Sequence, residues 1–143
     1  MGCQNMKLEF EARSENEEFA RVVTAVFMSR LNPTLEEIDD VKTAVSEAVT
    51  NAVIHGYQGQ EGKICQELSA EDGEKRRLSV SVKDQGVGIA DINQAMEPMF
   101  TTDPSGERSG MGFSFMEAFM DQVNVESEPG RGTSVFMIKY IGR

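Results

Sequence analysis

The chain has 143 residues, enough for one compact domain with its own hydrophobic core. Its formal net charge of −10 at pH 7 argues against non-specific binding to nucleic acid or anionic membranes, because their phosphates repel such a surface. No apolar run is long enough to span a bilayer, and the N-terminus lacks the apolar core of a signal peptide. Cys3 and Cys65 have no metal or redox spacing. We expect one cytoplasmic domain over residues 1–143, with residues 1–6 disordered.

The N-terminal region predicts a strand followed by a helix. Leu8–Ala12 alternates weakly between apolar and polar residues, as in a short strand. Ser14 and Glu17 have the spacing of a capping box, and a helix is predicted over about 15–31, ended by Asn32-Pro33. The residues expected on its inner face are Phe19, Val22, Val23, Val26 and Phe27.

A second capping box, Thr34 with Glu37, predicts a second helix that runs to about His55. Gly56 is a suitable residue to end it. The residues expected to face inward are Ile38, Val41, Val45, Ala48, Val49 and Ala52.

The remainder of the chain predicts four strands and one main helix. The strands are expected near Lys63–Ser69, Leu78–Lys83, Val123–Ser127 and Ser134–Tyr140, and the helix over Phe113–Val123. A short helix is possible near Asp91–Met96, and Pro98–Ser109 has the composition of a loop. Because helices and strands do not alternate regularly, we expect an α+β sandwich with one mixed, mainly antiparallel sheet and helices on one face.

The second helix carries an unusual polar pair. Glu47 and Asn51 are four residues apart, hence on one face of the helix, and their neighbours are apolar. They form either a buried hydrogen-bonded pair or part of a ligand pocket, since buried polar groups need partners. His55 extends the same face by one turn, but a lone histidine is usually structural.

Two glycine-containing segments could bind a ligand, although each also fits an ordinary turn. Asp84 follows a predicted strand and precedes Gly86 and Gly88, which allow close approach to the backbone. Downstream, the sequence R-S-G-M-G-F, residues 108–113, opens a helix, where free N–H groups and the helix dipole favour an anion. The P-loop and Rossmann patterns are both absent. A last segment, G-R-G-T, ends at Thr133 between two strands, where a hairpin would explain its glycines.

In this order and at these separations, the four motifs resemble the N box, the two glycine boxes and the terminal G-x-G-T of the GHKL superfamily. That superfamily includes the ATPase domains of histidine kinases and DNA gyrase. Within the superfamily, the chain resembles the anti-sigma-factor serine kinases, chiefly the sporulation type. The resemblance lies in S-E-A-V-T-N-A-V-I-H-G-Y, residues 46–57, and in the segments F-T-T and E-R-S-G-M-G-F. The resemblance covers Leu8 to Lys139 and implies the Bergerat two-layer α/β sandwich.

The resemblance assigns roles to individual residues. Glu47 would be the general base toward the incoming hydroxyl, and Asn51 would coordinate Mg²⁺ held by the ATP phosphates. Asp84 would accept the adenine amino group. The further nucleotide-binding residues implied in this way are Gly86, Gly88, Thr101, Thr102, Arg108, Ser109, Gly110, Met111, Gly112, Phe113 and Thr133. Asp103 departs from the family pattern, which has Lys after the two threonines, so we do not expect this residue to contact nucleotide.

The resemblance also implies partners. The family binds a sigma factor through a kinase homodimer and phosphorylates a serine of an anti-anti-sigma factor, using ATP and leaving ADP. Arg21, on the first helix, would touch partners, although a solvated helix face explains it almost equally well.

Three alternatives remain open from the sequence. The chain could be a nucleotide-regulated anti-sigma binding module without kinase activity, which the intact Glu47 and Asn51 disfavour. It could be a stress-response kinase of the same family, which shares every motif. It could also be the ATPase part of a histidine kinase or topoisomerase, which the chain length disfavours.

Overall fold

The computed structural model describes residues 2–90, 96 and 112–142, which form one five-stranded sheet with helices packed on one face. The strands are β1 (Gly2–Glu11), β2 (Lys63–Asp72), β3 (Arg76–Asp84), β4 (Gln122–Glu128) and β5 (Gly132–Ile141). The helices are α1 (Ser14–Met28), α2 (Leu35–Asn51) and α3 (Gly112–Phe119). A 3₁₀ turn (Ser29–Leu31) follows α1, and a π-helical turn (Ala52–Gly56) continues α2.

The strand order β1-β2-β3-β5-β4 confirms the predicted α+β sandwich. The sheet is not mixed, however, because all four pairings between the described strands are antiparallel. Since β5 lies between β3 and β4, the end of β3 meets the start of β5, and Asp84 pairs with Thr133. The topology therefore brings two separately predicted motifs side by side.

The first strand is longer than its sequence pattern indicates. It begins at Gly2, not at Leu8, and pairs with β2 from Gly2 opposite Asp72 to Glu11 opposite Lys63. Residues 2–6 are therefore part of the sheet, and the expectation that they are disordered is wrong. Their side chains are exposed, so backbone hydrogen bonding to β2 orders them, and that leaves no hydrophobic pattern in the sequence.

The start of α1 also differs from the prediction. The helix begins at Ser14, one position early, so that Arg13 takes the capping position and no side chain caps the helix. The predicted box of Ser14 and Glu17 is therefore not formed, because the hydroxyl at the first helical position lies beyond the cap.

The inner face of α1 is only partly the one predicted. Its buried residues are Ala20, Thr24, Phe27 and Met28, and Val23 packs partly against the core. Phe19, Val22 and Val26 are instead exposed, Phe19 by 69% and Val26 by 67%. The Thr24 hydroxyl donates to the carbonyl of Ala20 at 2.7 Å and accepts from Gln66 of β2 at 2.6 Å. Ala20 and Thr24 are small and let α1 approach the sheet. Phe19, Val22 and Val26 form a second apolar stripe that faces outward.

The second helix matches its prediction closely. The Thr34–Glu37 capping box is formed in both directions, at 3.1 Å and 2.8 Å. Burial alone would raise the pKa of Glu37, but hydrogen bonds from the backbone N–H groups of Thr34 and Gly142 lower it below its ordinary value. The inward residues Val41, Val45, Ala48, Val49 and Ala52 are buried, and Ile38 packs against the core.

The third helix is shorter than predicted, since it ends at Phe119 and leaves Gln122 to start β4. Lys139 of β5 donates to the carbonyl of Phe119 at 2.6 Å and lies 3.3 Å from Asp40, so that a cation closes the helix C-terminus. The predicted short helix at 91–96 and loop at 98–109 lie outside the described residues, apart from residue 96. Within the described ranges no helix is long and apolar enough to cross a membrane.

The orientation of α1 makes a direct prediction. Phe27→Ala should lower the free energy of unfolding by about 3–5 kcal/mol, because Phe27 fills the core. The neighbouring change Val26→Ala should have an effect within about 0.5 kcal/mol, because Val26 is exposed. Urea unfolding of both variants measures the difference, and a larger loss for Val26→Ala would contradict this orientation.

Candidate functional site

The centre of the candidate site is a carboxylate buried at the end of β3. Asp84 is only 9% exposed, and the backbone N–H of Gly86 donates to its Oδ1 at 2.9 Å. Burial raises the pKa of Asp84, and hydrogen bonds from the N–H groups of Gly86 and Thr133 offset part of that rise. A carboxylate has about four acceptor positions, so Asp84 retains capacity to accept from a ligand.

Glycines surround this carboxylate and allow the backbone to approach it. A Cβ on Gly56 would lie 2.9 Å from the Asp84 carboxyl carbon, and one on Gly86 would overlap the carbonyl of Gly56. Gly88 has φ of +77°, and a Cβ there would overlap the carbonyl of Glu128. Larger residues at either position would force these segments apart, so both glycines allow close packing of the protein's own backbone, and their contact with nucleotide stays a prediction.

The helix that carries Glu47 and Asn51 continues into a turn that packs against Asp84. After Asn51 the chain makes the π-helical turn and reaches Gly56, whose carbonyl accepts from the N–H of Val87 at 2.9 Å. Asn51 precedes Gly56 by five residues and Glu47 precedes it by nine, on the same continuous helical stretch. The structure therefore places both predicted residues on the element that packs against the buried carboxylate.

Glu47 and Asn51 lie at the boundary of the core and do not turn fully into it. Both are partly exposed, whereas Ala48 and Val49 between them are buried. Among the described residues, no group of three His, Cys, Asp or Glu side chains could hold a metal ion.

The last hairpin closes the site through Thr133 and Ser127. Ser127 Oγ accepts from the N–H of Ile89 at 2.7 Å, donates to the carbonyl of Gly132 at 2.9 Å and lies 2.8 Å from Thr133 Oγ1. The N–H of Gly130 donates to the carbonyl of Val87 at 2.7 Å. These bonds join the first glycine segment to the hairpin, so Thr133 is part of the same assembly as Asp84.

Three residues of this assembly received no binding role from the sequence. The sequence identifies Gly56 only as a helix end. It identifies Tyr57, whose hydroxyl accepts from the N–H of Gln85 at 2.8 Å, only as part of the motif at residues 46–57. Ser127 continues the inward alternation of Val123 and Val125 on β4, and a hydroxyl at an inward strand position is the signal that could have identified it.

The predicted phosphate side of the site is described only at its end. Gly112 is the first residue of α3, as expected for a helix N-terminus near an anion, and Phe113 is partly buried and packs against the core. The predicted residues outside the described ranges are Thr101, Thr102, Arg108, Ser109, Gly110 and Met111.

The burial of Asp84 predicts a pH effect on stability. Because the folded-state pKa of Asp84 is raised, folding favours its protonated form, so its contribution to the unfolding free energy falls as pH rises from below the ordinary pKa of Asp. The unfolding free energy of Asp84→Asn minus that of the wild type should therefore increase between pH 3 and pH 7. Urea unfolding across this range measures this difference, and Asp72→Asn at the exposed end of β2 is the control. A pH-independent difference would contradict the burial effect.

Comparison with known families agrees with this geometry. Residues 10–139 match the model of the histidine kinase-like ATPase domain. The chain is 58% identical over 134 residues to the anti-sigma F factor of Clostridium acetobutylicum, covering 94% of this chain and 92% of that protein. It is 52% identical over 139 residues to the anti-sigma F factor of Geobacillus kaustophilus, covering 96% and 93%.

Solved structures support the fold at lower sequence identity. The RsbU and RsbW domains of a Mycobacterium tuberculosis protein match with a TM-score of 0.67 at 19% identity, over 96% of this chain and 32% of that one. The catalytic domain of the histidine kinase ThkA matches with a TM-score of 0.54 at 19% identity, over 95% and 96%. The resemblance inferred from the motifs is thereby confirmed, and the chain belongs to the histidine kinase-like ATPase domain family and, within it, to the anti-sigma F factors.

Proposed function

We propose that this protein inhibits a sigma factor of the sporulation type and uses MgATP to phosphorylate a serine of an anti-anti-sigma protein in the cytoplasm. The observation that carries the proposal is the helix α2, which holds Glu47 and Asn51 at the edge of the core and ends against the buried Asp84. High identity to proteins named anti-sigma F factor supports the biological role.

The Asp84 pocket fits an adenine base. A buried carboxylate without enough donors costs free energy, and the amino group of adenine is a donor that Asp84 can accept. Gly88 packs against the carbonyl of Glu128, and the resemblance implies that it lies close to the base. Thr133 supports the same pocket through its N–H to Asp84 and its hydroxyl to Ser127. The adenine amino group would thus supply a hydrogen bond that the buried carboxylate still lacks.

Along α2, the chain supplies groups suited to the phosphate end. ATP provides the transferred phosphoryl group, and Asn51 contributes a neutral oxygen of the kind that Mg²⁺ accepts. Glu47 would receive the proton of the substrate serine as the serine oxygen bonds to the γ-phosphorus and the bond from that phosphorus to ADP breaks, so that ADP leaves. This role is worth about 10²–10⁴-fold in rate. Gly112 begins α3, whose positive end favours an anion, and the motif resemblance also assigns phosphate contacts to Thr101, Thr102 and Arg108.

The role of Glu47 can be tested by mutation. Glu47→Ala should lower phosphoserine formation on the cognate anti-anti-sigma protein by about 10²–10⁴-fold, while ADP affinity stays within about twofold of the wild type. Glu36→Ala, in the exposed first turn of the same helix, is the matched control and should retain both activities. Wild-type transfer by Glu47→Ala would remove Glu47 from the mechanism.

A binding surface for the sigma factor is proposed on α1. Phe19, Val22 and Val26 form an exposed apolar stripe at helical spacing, and Arg21 lies within the same segment. The Arg21 Nε lies 3.9 Å from the Glu17 carboxylate, beyond hydrogen-bond length, and has no hydrogen-bond partner among the described residues. Arg21 and the stripe lie on different sides of the helix, since Arg21 is at least about 100° around the axis from each residue of the stripe. An acidic group of the partner would pair with Arg21, and apolar side chains of the partner would cover the stripe.

Removal of the Arg21 charge tests this surface. Arg21→Ala should weaken binding of the cognate sigma factor by about 10- to 100-fold, the worth of a hydrogen bond to a charged group. Arg13→Ala removes an exposed arginine paired with Glu11 and should have no such effect. Isothermal titration measures the affinities, and wild-type affinity of Arg21→Ala would contradict the assignment.

We further propose that the protein acts as a homodimer, in agreement with the family resemblance. Sedimentation of the wild type and of Arg21→Ala measures the oligomeric state and separates a lost sigma contact from a lost subunit contact. A monomer at the concentrations of the binding experiments would contradict the homodimer.

A further inference from the structure

The backbone that follows Asp84 is held in place by the Asp84 side chain and by groups from two other parts of the chain. Its N–H donors are directed as follows: Gln85 to the Tyr57 hydroxyl at 2.8 Å, Gly86 to Asp84 at 2.9 Å, Val87 to the Gly56 carbonyl at 2.9 Å and Ile89 to Ser127 at 2.7 Å. Because these donors are satisfied, the segment has little freedom to rearrange.

Tyr57 joins this segment to the start of β2. Its hydroxyl accepts from the N–H of Gln85 and donates to the carbonyl of Lys63 at 2.5 Å, so that one oxygen links two backbone groups. The Tyr57 ring packs against the backbone at Gly62, where a Cβ would overlap the ring. Consecutive hydrogen bonds of this kind polarise and strengthen each other.

The hydrogen bond from the Gln85 N–H to the Tyr57 hydroxyl restrains the peptide unit that links Asp84 to Gln85. The N–H of that peptide is held by Tyr57, and its carbonyl lies against Gly132, where a Cβ would overlap it. The peptide plane is therefore restrained at both ends. Rotation of this plane changes the ψ angle of Asp84 and the position of the Gly86 N–H that holds its carboxylate.

We propose that Tyr57 is a positioning residue for the base-binding pocket, and that its hydroxyl orients the Asp84 carboxylate before a nucleotide arrives. The inference rests on the proposed adenine site and names a residue that supports it without touching the base. An acceptor already oriented avoids the free energy of ordering the pocket on binding. Tyr57 follows the π-helical turn after Asn51, so the helix that serves the phosphate end also restrains the base end.

Tyr57→Phe tests the proposal, because it removes the hydroxyl and keeps the ring. The matched control is Tyr140→Phe, since the chain has two tyrosines and the Tyr140 hydroxyl bonds to Arg77 at the opposite end of β3. In nucleotide-free protein, the amides of residues 85–89 should exchange with solvent faster in Tyr57→Phe than in Tyr140→Phe. The dissociation constant for ADP should rise about five- to tenfold in Tyr57→Phe alone, the equivalent of one hydrogen bond.

The outcomes separate the positioning role from the nucleotide site. Unchanged exchange at residues 85–89, or equal loss of ADP affinity in both tyrosine variants, would overturn the role of Tyr57 and leave the adenine site in place, provided that the wild type binds ADP. A wild type that fails to bind ADP would overturn the adenine site, and the assignment of Tyr57 with it.

Discussion

The burial of one carboxylate at the end of β3 constrains the rest of the site. Asp84 is an acceptor removed from water, and the raised pKa reflects the free energy of burying its charge. Two backbone N–H groups offset part of that penalty, and they approach closely only because glycines stand at positions 56, 86 and 132. A structural role alone gives no reason to bury a charge with incomplete compensation, whereas a pocket for a donor ligand does.

This constraint explains why separate segments converge at one place. The antiparallel pairing of β3 with β5 brings Thr133 opposite Asp84, and the π-helical turn brings Gly56 against it. A regular α-helix would direct the residues after Asn51 differently, and π-helical turns often mark functional sites for this reason. Asp84 and the helix α2, which carries Glu47 and Asn51, are therefore parts of one packed unit.

The first helix packs one apolar side against the core and leaves another exposed. It carries two apolar stripes, and the one that packs on the sheet contains Ala20 and Thr24, which permit close packing, with Gln66 donating to the Thr24 hydroxyl. Phe19, Val22 and Val26 remain outside. The helix thus uses one side for core packing and leaves an apolar stripe exposed on the other.

Local patterns in the sequence determined the elements and the identity of the site. The capping box at Thr34, the α2 core stripe, the strand alternations and the four motifs are encoded by neighbouring residues, so they could be identified without a fold. The tertiary structure decided what depends on contacts between distant segments: the ladder that orders residues 2–6, the stripe of α1 that enters the core, and the bonds of Tyr57 and Ser127 to the glycine segment. These could not be predicted, because a hydrogen bond between residues 28 or 38 positions apart leaves no periodic trace in the sequence.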